Sequence, residues 1–289
     1  MYSQLLSLLQ FATIAAAHPK ASADDVSYFP LKILRSVAKN TPAGAELGTC
    51  TALRRTVRST TARGVTPMYD PRDRPRSKYR GRRLGISLTA KQYIIANATR
   101  YDAKATFFVT GNNLGKGAIN DPAHSWGGLI KRMVASGHQV ASHTWSHQKL
   151  TTLSESQFRK QMYFLEVALA DLLGYFPTYM RPPYSASNDQ TDGWLGELGY
   201  HVTYFNLDTE GYLNNSPNEV QKCKDIWDKN VEGRNPQNTK WLQIEHDTIY
   251  QTVYNLTEYA LKSLFRNGFR SVTVGECLGD PRENWYRWV

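Results

Sequence analysis

The sequence predicts an α/β protein with parallel strands. Strand-like runs alternate with helix-like segments at least five times after Lys104. The residues with catalytic chemistry fall at or just past the C-terminal ends of the predicted strands, where α/β folds assemble their sites. With 289 residues, 41% of them hydrophobic and 12% aromatic, the chain can fill a sizeable core.

Taken in order, Ala105 to Gly111 (ATFFVTG) is an apolar run that ends in turn residues, a buried strand. Asp121-Pro122 offers an N-cap with proline at the first helical position, and Gly137 ends that helix. Gln139 to Thr144 is the next strand. Ser154 and Gln157 form a capping-box pattern that opens a helix to about Gly174. PTYMRPPY is a strand with its exit loop. His201 to Asp208 is a strand, Glu219 to Trp227 a helix, and Trp241 to Asp247 a strand. TEYALKSLFRNG is an amphipathic helix stopped by Gly268, and Arg270 to Glu276 reads as a closing strand.

Residues 18–83 have no sustained period and read as irregular. Arg54 to Arg83 holds 11 Lys and Arg against 2 Asp, so most of the formal +10 sits in that stretch. It has no interleaved aromatic platform, so no nucleic-acid partner is expected. Residues 1–17 carry an apolar run and small residues at Ala15 to Ala17, the pattern of a secretory signal; a short buried helix is the other reading. No segment is long enough to span a membrane. The sequons at Asn97 and Asn255 fit an extracellular or cell-wall location. Cys50, Cys223 and Cys277 allow one disulfide, and spacing does not choose the pair. The oligomeric state is left open.

His143 and His147 in SHTWSH are spaced to face one centre, and neutral imidazole is a common zinc ligand. The same spacing also suits two ordinary core or surface histidines. The glutamate of a zincin protease is absent from it. His246 lies two residues beyond Ile244, on one strand face, placed for a general acid beside an apolar pocket or for a satisfied core histidine. Asp208 can tune such a histidine or form a turn. Arg181 is a salt-bridge anchor or an electrostatic element of a site, and Tyr184 can offer its amide or its ring.

ATFFVTGNN, SHTWSH, RPPY, FNLDTEGY, IEHDT and VGECLGDPRENWYRW occur in this order from Lys104 to the C-terminus. Together they resemble the polysaccharide deacetylases of carbohydrate esterase family four, the tail most of all the fungal chitin deacetylases. The resemblance implies a distorted (β/α) barrel over residues 84–289. It implies metal-dependent deacetylation of N-acetylglucosamine units in chitin or chito-oligosaccharides, with zinc, or cobalt, as the divalent ion. His143 and His147 would bind the metal and His246 would be the general acid. Arg181 and Asp208 would tune base and acid, with Asn206 a rival for the latter. Tyr184 would give a backbone N–H to the oxyanion, and Ile244 would line the acetyl pocket. Cys50 and Cys277 would form the disulfide.

One box of the family is missing. An Asp-Asp-Gly on the first strand should supply the base and a third metal ligand, and here the only Asp-Asp pair is Asp24-Asp25. Taken literally, the chain is an impaired enzyme or an inactive chito-oligosaccharide binder. Reverse translation of Val57 to Ala62 and Arg63, read one base out of frame, spells Thr-Phe-Asp-Asp-Gly-Pro with suitable codons. On that reading the Arg-rich segment is a mistranslated stretch.

Overall fold

The computed structural model describes residues 59–60, 64–67, 83–113 and 115–289, with side chains described from residue 91 onward. The expected signal segment and Cys50 lie outside the described residues, and so does the Cys50–Cys277 pair.

The strands are β1 (Ser59–Thr60), β2 (Gly64–Pro67), β3 (Thr106–Val109), β4 (Gln139–Ser142), β5 (Tyr175–Pro177), β6 (Tyr179–Met180), β7 (His201–Thr203), β8 (Leu207–Asp208), β9 (Leu242–Glu245) and β10 (Tyr286–Trp288). The helices are α1 (Arg83–Arg100), α2 (Trp126–Ala135), α3 (Glu155–Leu173), α4 (Asp189–Glu197), α5 (Val220–Val231), α6 (Thr257–Arg266) and α7 (Val274–Leu278). One parallel sheet runs β1-β7-β6-β4-β3 and another β2-β9-β8. β2 packs against β3, which closes the two sheets into a distorted (β/α) barrel. An antiparallel pair, β10 with β5, forms a separate two-stranded sheet.

Local chemistry explains most elements. Ser154 accepts a hydrogen bond from Gln157 N, and the Gln157 side chain answers the Ser154 N–H, so two orphan donors of α3 are satisfied. Phe158, Met162, Leu165 and Leu169 follow at helical spacing and are fully buried. Gly174 ends the helix in the left-handed region, φ 78°.

Four expectations are corrected. Gly64–Pro67, read as loop, forms β2, in register with Leu242–Glu245; the site between β9 and β3 demands a strand and overrides the glycine and proline. α2 begins at Trp126, because Asp121 instead caps a turn through Ala123 N at 2.9 Å. His201 to Asp208 is two strands in different sheets, β7 and β8. Arg270 to Glu276 is not a closing strand. Lys104 N donates to Ser271 O and the Ser271 hydroxyl donates back to Lys104 O at 2.8 Å, and Thr273 then caps α7 by accepting from Glu276 N at 3.2 Å.

Asn97 is 8% exposed and its Nδ2 donates to Tyr93 O at 3.1 Å, so this packing leaves no room for a glycan. Asn255 is exposed. Among the described residues no helix is long and apolar enough to cross a membrane.

His138, at the N-terminal end of β4, gives a pH prediction. Its Nδ1 accepts from Ala105 N at 3.2 Å, which requires a neutral ring. Burial first, then the Lys104 charge, holds it down to about 4. The unfolded chain takes up this proton below its ordinary value of 6.5, while the folded chain resists until about 4. Stability is therefore full above pH 6.5 and falls as the pH drops through that window. His138→Asn keeps an acceptor and removes the titration. Urea unfolding at pH 7.5, 6 and 5 should show its stability slope reduced by about 1.4 kcal/mol per pH unit. Equal slopes for the two proteins would contradict this.

Candidate active site

The site is built from the loops that leave β4, β6, β8 and β9 at their C-terminal ends. His143 follows Ser142, Arg181 follows Met180, Asp208 ends β8 and His246 follows Glu245. His246 is thus just beyond the strand rather than on it. Six non-glycine described residues have positive φ, and five lie in these loops: Thr144, His147, Tyr184, Ser185 and Glu210. Backbone strain collected at one end of the barrel marks a site over-determined by its surroundings.

His143 Nδ1 lies 2.7 Å from Arg181 O. A carbonyl only accepts, so Nδ1 carries the proton and Nε2 keeps its lone pair. The His143 and His147 rings meet edge-on with centroids 4.7 Å apart, and His147 meets Tyr184 at 4.9 Å. His246 meets Tyr212 at 5.4 Å. Burial, then His147, holds His143 well below its ordinary range. Burial, then Arg181, then His147, pushes His246 down to about 3. Near neutral pH both rings are uncharged, good ligands or bases rather than acids.

Arg181 is 1% exposed. Its Nη2 donates to Tyr204 O at 3.2 Å, and its guanidinium lies 4.3 Å from the Phe108 ring centre. Among the described residues Nε and Nη1 have no acceptor. Burial alone lowers it to about 9. Among the described residues, then, three of its N–H bonds have no acceptor and no carboxylate faces it, a costly state for a buried guanidinium.

Asp208 accepts from Glu210 N at 2.8 Å and from Tyr212 OH at 3.2 Å. It therefore reaches His246 through the Tyr212 ring, not directly. Asn206 is exposed and accepts from Leu242 N at 2.6 Å, a brace between strands. Ile244, 8% exposed, sits on β9 beside these groups. The structure thus brings together His143, His147, Arg181, Tyr184 and His246. Two residues carried no expectation: Tyr212, which touches His246, and Glu245, a buried carboxyl behind the site. Tyr212 was visible as the aromatic of FNLDTEGY, and Glu245 as a lone charge in an apolar strand.

A sequence profile described as polysaccharide deacetylase matches residues 89–203. The chitin deacetylase of Colletotrichum lindemuthianum is 41% identical over 186 residues, 64% of this chain and 73% of that one. The chain belongs to the polysaccharide deacetylase family. A Pestalotiopsis chitin deacetylase is 39% identical over 184 residues, where the match spans 58% of the relative. The solved structure of the Colletotrichum lindemuthianum chitin deacetylase superposes with a TM-score of 0.68 at 33% identity, covering 84% of this chain and 96% of that one. This polysaccharide deacetylase is accordingly a deacetylase-type hydrolase of carbon–nitrogen bonds.

Polysaccharide deacetylases are generally dependent on a divalent metal. The residues here go part of the way. His143 and His147 offer two imidazoles, but among the described residues no three His, Cys, Asp or Glu converge to hold an ion. The neighbouring carboxylates are engaged elsewhere: Asp208 with Tyr212, Asp247 with Lys91, and Glu245 with Thr209. The described donor set does not by itself fit the metal.

Proposed function

We propose that this chain recognises N-acetylglucosamine units of chitin or chito-oligosaccharides, with its water-activating half incomplete. The reading is a chitin-deacetylase-type site over residues 84–289 that binds its glycan and turns it over slowly. His143 and His147 are two imidazole ligands for a zinc or cobalt ion whose carboxylate ligand is not among the described residues. Tyr184 offers its backbone N–H to the acetamide oxygen, Ile244 lines the methyl pocket, and His246 faces the leaving amine. Arg181 and Asp208 tune these groups, Asp208 acting through Tyr212. A secreted or cell-wall location, with a glycan at Asn255 and a Cys50–Cys277 disulfide, belongs to the same reading.

One observation carries it: three imidazoles and a guanidinium converge at one end of the barrel, and among the described residues no carboxylate pairs with them directly. The same observation favours binding without rapid turnover. Calorimetry with tetra-N-acetylchitotetraose, and acetate release with added Zn²⁺ or Co²⁺, test it. The expected result is measurable binding, weakened by His246→Ala, with little acetate. Absence of both binding and acetate would overturn it.

A further inference from the structure

Glu245 is a buried carboxyl, 3% exposed, with no part in the chemistry above. It shares a face of β9 with Gln243, opposite Ile244. Gln243 Nε2 donates to its Oε1 at 2.7 Å. The hydroxyl of Thr209, itself fully buried, donates to the same oxygen. Two donors on one carboxyl oxygen, away from water, make a stiff anchor.

Thr209 opens a tight turn. Glu210 stands at φ 57°, and Leu213 N donates back to Glu210 O at 2.9 Å. Gly211 presses directly on the anchor. A Cβ there would collide with Thr252 Oγ1 and come within 3.1 Å of Glu245 Oε2. The far side of this turn carries Tyr212, whose hydroxyl holds Asp208 and whose ring meets His246 edge-on. The loop end is tied as well, through Gln251 N to Asn215 Oδ1 at 3.3 Å.

We propose that Glu245 is a positioning residue, which clamps the Asp208–Tyr212 turn from behind through Thr209 and so fixes Tyr212 against His246. The proposal rests on the functional reading above only for what His246 does; the clamp itself is geometry. It also explains why residue 211 is glycine, since the anchor fills the space of a side chain.

Hydrogen exchange over residues 207–215 and the ring-proton resonances of His246 and His138 test it, in the wild-type chain, Glu245→Ala, Glu245→Gln and Thr209→Val. Glu245→Ala and Thr209→Val are expected to speed exchange in this stretch about tenfold and to shift His246 but not His138. Glu245→Gln keeps an acceptor for Thr209 and should restore both readouts. If Glu245→Ala does not fold, Thr209→Val breaks the same link with the carboxyl in place. An unchanged His246 resonance with a loosened turn would reduce Glu245 to loop support and overturn the proposal. So would an unchanged turn. A wild-type chain that fails to bind tetra-N-acetylchitotetraose defeats the functional reading, yet these two readouts still decide the clamp.

Discussion

A chain carrying Thr-Phe-Asp-Asp-Gly-Pro over residues 57–62 is expected to release acetate from N-acetylated chito-oligomers roughly 10²–10⁴ times faster than the chain as written, the range that a positioned general base supplies. The backbone already runs to the right place. Thr60 is paired with Thr203, and the next residue, Tyr204, gives its carbonyl to Arg181 Nη2. An acid introduced at 59 or 60 is expected to pair with this guanidinium, whose Nε and Nη1 have no acceptor among the described residues. Its charge would also offset the Arg181 field that, after burial, depresses His246, so the proton donor recovers together with the base. Acetate assays with Zn²⁺ or Co²⁺ on both chains, normalised to folded protein, check this. Equal rates would sink the idea that the missing box limits turnover. Sequencing the transcript across codons 50 to 95 is the independent check; codons for Val57 to Ala62 that do not spell the box in the next frame would remove the mistranslation reading.

The convergence of His143, Arg181 and His246 was legible because each follows an apolar run, and parallel strands bring their C-terminal ends to one face. The α3 start was legible for a local reason, since Ser154 and Gln157 satisfy each other's backbone. What sequence could not show is decided by partners distant in the chain. Gly64–Pro67 is a strand because β9 and β3 stand open on either side of it. Val272 and Thr273 have strand-forming side chains, but Thr106 Oγ1 and Gln139 Oε1 take the amides of Val274 and Gly275 and support a helix start there. Glu245 reads as an odd charge in WLQIEHD until Thr209, 36 residues away, is seen donating to it. Likewise, that the Asp208 carboxylate meets Tyr212 depends on the turn geometry at Glu210.

The second large effect concerns stability and has an unusual sign. Arg181→Met should make the chain as written more stable, by about 2 kcal/mol, since replacing an uncompensated buried charge with an apolar side chain of similar volume removes a desolvation cost. For a chain of this size that corresponds to a rise of roughly 5 °C in Tm. Among the described residues the guanidinium has one carbonyl and two aromatic rings for company, at 3.2 Å from Tyr204 O and beside Phe108 and Phe205. Methionine keeps the apolar contact with the rings; it gives up their cation–π attraction and that single hydrogen bond, worth about 1.5–3 kcal/mol to a charged donor at most, against three N–H bonds with no acceptor among the described residues. In the chain with the restored box the sign should reverse. There Arg181 has a carboxylate to pair with, and removing it strands a buried negative charge, at a cost of about 3–5 kcal/mol. A double-mutant cycle in urea, pairing Arg181→Met with the restored box, reads both signs in one experiment. Destabilisation of similar size in both backgrounds would mean that Arg181 is already satisfied, and that no carboxylate is missing beside it.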